Sequence, residues 1–403
     1  MMALIGVIGW FHVKLLADFL NLRRLSDSVP ESLNDVVSEE DHLKAKDYHI
    51  DHARLDVLSE AAGLAALVGF WWVGGFQWLA LQVQGLGWGS ISSGLLILGS
   101  LVVASSLLNL PFEWYSTFKI EAAYGLNRTT PGTFVADRVK GLVMACALGG
   151  PLVAGILWVL ANVQAAAFWA WALTSLFGLL MTWIAPRFLM PIFMKFTPME
   201  PGELRDAILA LARKQNFPVQ EIYVVDGSRR STKANAFFTG IGNTRRIALF
   251  DTLLATHSTD EIIAVLAHEI GHAKLGHVPW MITAGLLQSA AMFACLHFAL
   301  SDVRFYEAFG VQGTLPALGL ALFSIVWKPW SVVLDILHGM LSRKHEFQAD
   351  EYAKVAIGTG EPLISALKKL SRDHLAHLTP HPFYILLHHS HPPVLQRIQA
   401  LSA

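Results

Sequence analysis

Charge is what this sequence lacks most. Asp, Glu, Lys and Arg make up 15% of its 403 residues, against about 25% in a soluble domain. Much of the chain therefore does not face water. Neither sign of charge is in excess, since the formal net charge is −1. That excludes the basic surface a nucleic-acid partner requires. Cysteine is nearly missing too. Cys146 and Cys295 each sit alone in an apolar run, which excludes a disulfide framework and a thiolate metal site. Both read as small apolar packing residues. The N-terminus lacks a basic stretch before its apolar run and a small-residue cleavage site, so 1–22 is not a signal peptide. Repeats and low-complexity tracts are also missing.

What is abundant is apolar surface: 54% of residues are hydrophobic and the mean hydropathy is +0.46. Runs of about 20 apolar residues mark membrane spans. They fall at roughly 60–83, 91–112, 141–163, 165–185, 279–300 and 315–340. The stretch 1–22 counts as a seventh, although it contains His12, Lys14 and Asp18. Gly149, Gly150 and Pro151 predict a kink in the fourth span. Lys328 and Asp335 in the last span are expected to face a cavity or a partner, not lipid. Basic residues alternate between connections. Loops 23–56, 113–140 and 186–278 and the stretch after the last span are rich in Lys and Arg; 84–90 and the turn near 164 have none, and 301–314 has only Arg304. The positive-inside rule then puts the N-terminus outside and the C-terminus in the cytosol. The lipid bilayer is thus an expected partner.

Four parts follow: a membrane region 1–185 with five spans, a cytosolic part 186–278, spans six and seven at 279–340, and a cytosolic part 341–403. Residues 203–217 have helical apolar spacing. Residues 221–226 read as a strand and 234–254 as a hairpin turning at Gly242–Asn243. Ser258 and Glu261 match a capping box. The helix after it merges toward the sixth span. A further helix is expected around 342–356, and 23–56 reads as a cytosolic helical excursion.

The string HEIGH at 268–272 carries the chemistry. Residues four apart on a helix share a face, so His268 and His272 can bind one ion. Glu269 then stands beside the first ligand, within reach of a water at the ion's open position. This is the HExxH arrangement and zinc is the expected ion, one per chain. A chance match in a chain this long is on the order of 1%. Gly271 inside the helix costs about 1 kcal/mol relative to alanine, which is easier to explain if something packs closely there. A catalytic zinc needs a third protein ligand. His277, Glu346, Asp350 and the late histidines are candidates. On a continuous helix His277 lies about 140° beyond His272 and points away. Glu346 and Asp350, four apart, could supply one ligand and one outer acceptor for a histidine; spacing favours neither. Glu269 is the expected general base. His391 and Arg397 are candidate donors to the tetrahedral oxyanion. An exposed edge strand over Asn235, Ala236, Phe237 and Phe238 would bind a peptide by strand addition.

These residues resemble a known family, the type I CAAX prenyl endopeptidases. The resemblance includes EAAYGLNRTT (121–130), FLMPIFMKFTPMEPGEL (188–204), IYVVDGSRRS (222–231) and NAFFTG (235–240). It continues through RRIALFDTLL (245–254), TDEIIAVLAHEIGH (259–272), SRKHEFQADEYA (342–353), HHSHPP (388–393) and RIQAL (397–401). It implies a predominantly α fold of seven membrane helices enclosing a chamber, with a gluzincin-like protease part carrying a small sheet. It also implies that Glu346 is the third zinc ligand, Asp350 its outer partner, and His391, Arg397 and Asn235 neighbours of the substrate. The implied function is zinc endopeptidase action on peptides or proteins, prenylated ones included. The chain shows no basic retrieval tail and its loop 301–314 is compact. On these departures the expectation is a bacterial homologue in the inner membrane, or the endoplasmic reticulum if the source is eukaryotic. Two other readings compete: a quality-control protease for misfolded membrane proteins, and a metal transporter or inactive scaffold. Retention of Glu269 argues against the last.

Overall fold

A computed structural model describes residues 2–25, 28–240 and 245–403. The membrane region is built first. Helix α1 is Met2–Leu22, α2 Glu39–Trp72, α3 Gly75–Gln84 and α4 Ser90–Tyr115, continued by a π-helical turn to Glu121. Helix α5 (Pro131–Met144) joins α6 (Gly150–Asn162) through a second π turn at Ala145–Gly149. Helix α7 (Ala166–Ile184) reaches α8 (Met190–Phe193) through a third. The kink expected at Gly149–Pro151 is thus a π turn, where the slipped hydrogen-bond register accommodates the proline. Among the described residues seven helices are long and apolar enough to cross a membrane. Their surfaces stay apolar, as at Phe298, which is 73% exposed. Water does not tolerate such a belt and lipid does.

Two boundaries near the second span differ from expectation. The excursion 23–56 and the second span are largely one helix, α2, because Glu39–Trp72 contains no proline. The run 60–83 is instead cut at Gly74, whose φ of +75° starts α3. Helix α3 then buries Phe76, Leu79 and Val83 against Tyr306, Phe309 and Leu322. Cys146 and Cys295 are free and exposed on their helices; they do not pack inside as expected. Asp335 accepts hydrogen bonds from Ser331 (3.2 Å) and Gln288 (3.4 Å).

The protease part follows as β1 (Phe196–Pro198), α9 (Glu203–Lys214), β2 (Glu221–Val225), β3 (Ala236–Thr239), β4 (Arg246–Phe250), α10 (Asp251–Thr256) and α11 (Thr259–Lys274). After it come α12 (His277–Ser301), α13 (Val303–Glu307), α14 (Pro316–Ile357), α15 (Glu361–Asp373), α16 (Pro382–His388) and α17 (Val394–Ser402). The sheet order is β1-β2-β4-β3, with β2 and β4 parallel and β3 antiparallel to β4. Strand β3 is therefore an edge, as the NAFFTG stretch suggested. The Gly242–Asn243 turn lies outside the described residues.

One apolar core joins segments distant in sequence. Val29, Leu33 and Val37 share it with Ile208, Ile222 and Leu249, with Leu266 and Ile270 of α11, and with Ile398 and Leu401 of α17. The stretch after α1 is thus partly buried under the protease part. A second tie runs from the membrane side. The main chain of Leu126–Arg128 pairs with Arg230–Thr232, and Arg230 forms a bidentate ion pair with Asp137. Lys233 Nζ donates to Glu121 and to Tyr48 Oη, each at 3.2 Å. The approach to edge strand β3 is therefore anchored on the bundle.

Candidate metal centre and active site

Helix α11 presents the HEIGH residues. Its N-terminus is fixed by the capping box, in which Ser258 N donates to Glu261 at 2.7 Å and Glu261 N donates to Ser258 Oγ. Burial alone would raise the Glu261 pKa. Hydrogen bonds from Lys369, Ser365 and the Ser258 amide win, and hold it at about 2. The helix is therefore tied to α15 at one end while its other end carries the histidines.

Helix α14 crosses beside it. The expected span 315–340 and helix 342–356 are one continuous helix of 42 residues, so Glu346 rides on an extension of the seventh span. Close approach of the two helices depends on Gly271. A Cβ there would lie 3.3 Å from Ala349 Cα and 3.1–3.2 Å from Tyr352. That is the tight packing the glycine implied.

The result is a convergence of three donors. His268 Nε2 and His272 Nε2 are 3.1 Å apart. Glu346 Oε1 lies 3.3 Å from His272 Nε2, and Glu346 Oε2 3.6 Å from His268 Nε2. One ligand atom from each lies within 4.8 Å of the others. Glu346 Oε2 is buried without a hydrogen-bond partner. A buried orphan of this kind needs a reason. Two imidazole lone pairs and an orphaned carboxylate oxygen facing one point fit a divalent cation, and nitrogen–oxygen donor sets of this kind suit zinc.

The surroundings fix these donors. Asp350 Oδ1 sits 2.9 Å from His268 Nδ1, so that nitrogen donates and Nε2 is left free. Arg397 is buried and grips Asp350 with two bonds, 2.8 Å from Nε and 2.6 Å from Nη2. Its Nη1 is 3.5 Å from Glu346. Both of the sequence candidates Asp350 and Arg397 are thus brought to the site, with Arg397 engaged by carboxylates. His391 Nε2 lies 3.4 Å from Glu346 Oε1, and its side chain is mostly exposed. Glu269 is partly buried, and burial pushes its carboxyl above the usual range against the pull of His268, His272 and Arg397.

A cavity of about 570 Å³ opens on this cluster. It is lined by Glu269, Asn235, Ala236, His391 and Arg397. Phe237 and Phe238 are not on its wall: their rings pack against Phe250 and Phe217, so only their edge main chain is offered to a peptide. Its lining also carries His49 and three of the late histidines, His374, His377 and His389, none of which joins the three converging donors. The excess of histidine, 17 in all, was the one signal of it. His374 Nε2 accepts from Ala234 N at 3.0 Å, directly before the edge strand.

His277 is the main correction. The chain does not continue α11 through it. Gly276 takes φ +72° and starts a new helix, so the 140° offset of a continuous helix does not apply. His277 is buried and turns back toward the site. Its Nδ1 is 3.1 Å from His272 Nδ1. It is not among the three converging donors.

Known proteins share this fold. The family model of the CAAX prenyl protease N-terminal region, with five membrane helices, matches residues 18–195, and that of peptidase family M48 matches 198–403. The chain belongs to peptidase family M48. Among M48 relatives, the CAAX prenyl protease 1 homolog of Arabidopsis thaliana is 33% identical over 98% of this chain and 96% of its own. CAAX prenyl protease 1 of Saccharomyces cerevisiae is 32% identical over 98% and 93%. The crystal structure of S. mikatae Ste24p superposes with a TM-score of 0.93 at 32% identity, over 99% of this chain and 97% of that one. This M48 protein is an integral, multi-pass membrane metalloprotease resembling CAAX prenyl protease 1.

Proposed function

We propose that the metal is zinc, held by His268, His272 and Glu346, and that the natural substrate is a prenylated protein cut near its C-terminus. The observation that carries the site is the convergence of two imidazole Nε2 atoms with a buried Glu346 oxygen that has no hydrogen bond. The substrate reading is supported by relatives named CAAX prenyl protease 1 that match nearly end to end.

Bound zinc would supply a Lewis acid that acidifies water and polarises the scissile carbonyl. Glu269 takes the proton of the attacking water and returns it to the leaving amine. Burial raises its carboxyl above the ordinary range, the direction a group that both takes and returns a proton needs. The peptide adds to the free edge of β3 through main-chain hydrogen bonds beginning at Asn235 and Ala236. His391, exposed beside Glu346, donates to the oxyanion. Arg397 holds Asp350 in place, and Asp350 in turn fixes the His268 ring. The loop charges favour an outside N-terminus and a site on the cytosolic face, with the bilayer bringing the lipidated substrate to the bundle.

The test compares a farnesylated CAAX peptide with an unfolded membrane protein as substrates, for wild type and Glu269→Ala. Cleavage of the first substrate, lost in the variant while one zinc per chain is retained, is the expected result. Preference for the unfolded protein would transfer the assignment to quality control. Undiminished activity in Glu269→Ala would sink the mechanism.

A further inference from the structure

The two histidines of the site are held differently. His268 leans on a carboxylate, since Asp350 Oδ1 is 2.9 Å from its Nδ1. His272 has no carboxylate at its Nδ1. It meets His277 Nδ1 at 3.1 Å, and His277 Nε2 reaches Gln348 Oε1 at 3.2 Å. Proton positions along this chain are determined by its two ends. If His272 Nε2 faces a metal, its Nδ1 must carry the hydrogen. His277 Nδ1 then accepts, so His277 carries its own hydrogen on Nε2, and Gln348 Oε1 accepts it. Every donor in the chain finds an acceptor.

The middle ring has little freedom to move. His277 is 3% exposed. It stacks on His345 with ring centroids 4.0 Å apart and planes 8° from parallel, and Trp280 closes edge-on against His345. Gly276, in the left-handed region, turns the chain so that this ring faces back along α11. His345, Glu346, Gln348 and Asp350 all belong to α14. One helix therefore supplies a donor, the anionic support of His268 and the neutral acceptor that backs His277.

We infer that His277, backed by Gln348, is a positioning residue that fixes the tautomer and ring angle of His272 for metal binding. This rests on the proposed ligand set. Loss of such an outer partner typically weakens metal affinity 10–100-fold.

The experiment uses the full-length protein in detergent, stripped of metal and titrated with zinc against a chromophoric chelator. His277→Phe keeps the ring stack and removes the acceptor, and zinc affinity should fall about 10–100-fold. The cobalt-substituted protein should show a shifted absorption band, and the melting temperature of the metal-free protein should hold. His277→Gln, which can both accept and donate, should recover most of the affinity. Gln348→Leu, at an exposed position, should cost severalfold. Wild-type affinity and an unchanged cobalt spectrum in His277→Phe would overturn the inference, as would a His277→Gln variant as weak as His277→Phe. If His277→Phe does not fold, Gln348→Leu decides, and unchanged affinity there overturns it. The ligand set is tested apart: wild-type zinc affinity in His272→Ala would refute that reading whatever the His277 variants show.

Discussion

Replacing Gly271 by alanine should weaken metal binding without touching a single ligand. In isolation the change favours the helix by about 1 kcal/mol, because glycine has more backbone freedom to lose. Here the added Cβ would sit 3.1 Å from Tyr352 Cδ1, 3.2 Å from Tyr352 Cβ and 3.3 Å from Ala349 Cα. Two of these atoms are fixed to the α14 backbone. The Tyr352 ring is pinned as well, by its hydroxyl bond to Gln215 at 2.7 Å. The helices must therefore part by a few tenths of an ångström. Overpacking of this kind costs about 1–3 kcal/mol, so the net change in stability should be about 0–2 kcal/mol unfavourable. Ala349 lies between Glu346 and Asp350 in the sequence, so the same displacement carries both carboxylates away from the imidazoles. Metal sites tolerate about 0.2 Å in ligand distance, and a loss of about tenfold in zinc affinity, about 1.4 kcal/mol, is expected. Thermal melts of the metal-free protein and chelator competition measure the two effects separately. A variant that melts higher and binds zinc like wild type would show that the α11–α14 contact does not set the geometry.

Arg397→Met should be costly in the metal-free protein, because Asp350 and Glu346 would remain charged and buried without their cation. About 3–5 kcal/mol is the expected loss, read as a fall in melting temperature; a fall of under a degree would contradict it. Glu261 gives a pH signature. Its folded pKa of about 2 lies below the usual carboxylate value, so its stabilisation is present at neutral pH and is lost as pH falls from about 4.5 toward 2. On the order of 3 kcal/mol is involved. Glu261→Gln should therefore be destabilised at pH 7 and approach wild type near pH 2, and an equal deficit at both would argue against the linkage. Lys233→Met should leave zinc content unchanged while lowering kcat/KM about tenfold, because it frees the approach to the edge strand. Unaltered kinetics would mean that the Leu126–Arg128 pairing anchors the strand alone.

Much of this protein is written in local pattern. Scarcity of charge marks seven spans, because about 20 apolar residues suffice to cross a bilayer. The spacing of His268, Glu269 and His272 specifies half of the proposed metal site, since four residues make about one helical turn. Ser258 and Glu261 announce the start of the helix that carries them, and the β3–β4 pairing follows from short-range alternation. Gly271 hinted at a close neighbour without naming it.

Tertiary structure decided what those patterns left open. That Glu346 meets the histidines depends on an uninterrupted α14 running from the membrane to the site, and no local spacing encodes the partner of a helix. That Arg397 serves Asp350 follows from α17 packing into a core shared with Val29 and Leu33, at opposite ends of the chain. His277 shows the limit most plainly. Counted along a continuous helix it points away; one glycine at φ +72° turns it back onto His272. Periodicity predicts direction only while the backbone keeps one conformation, and at Gly276 it does not.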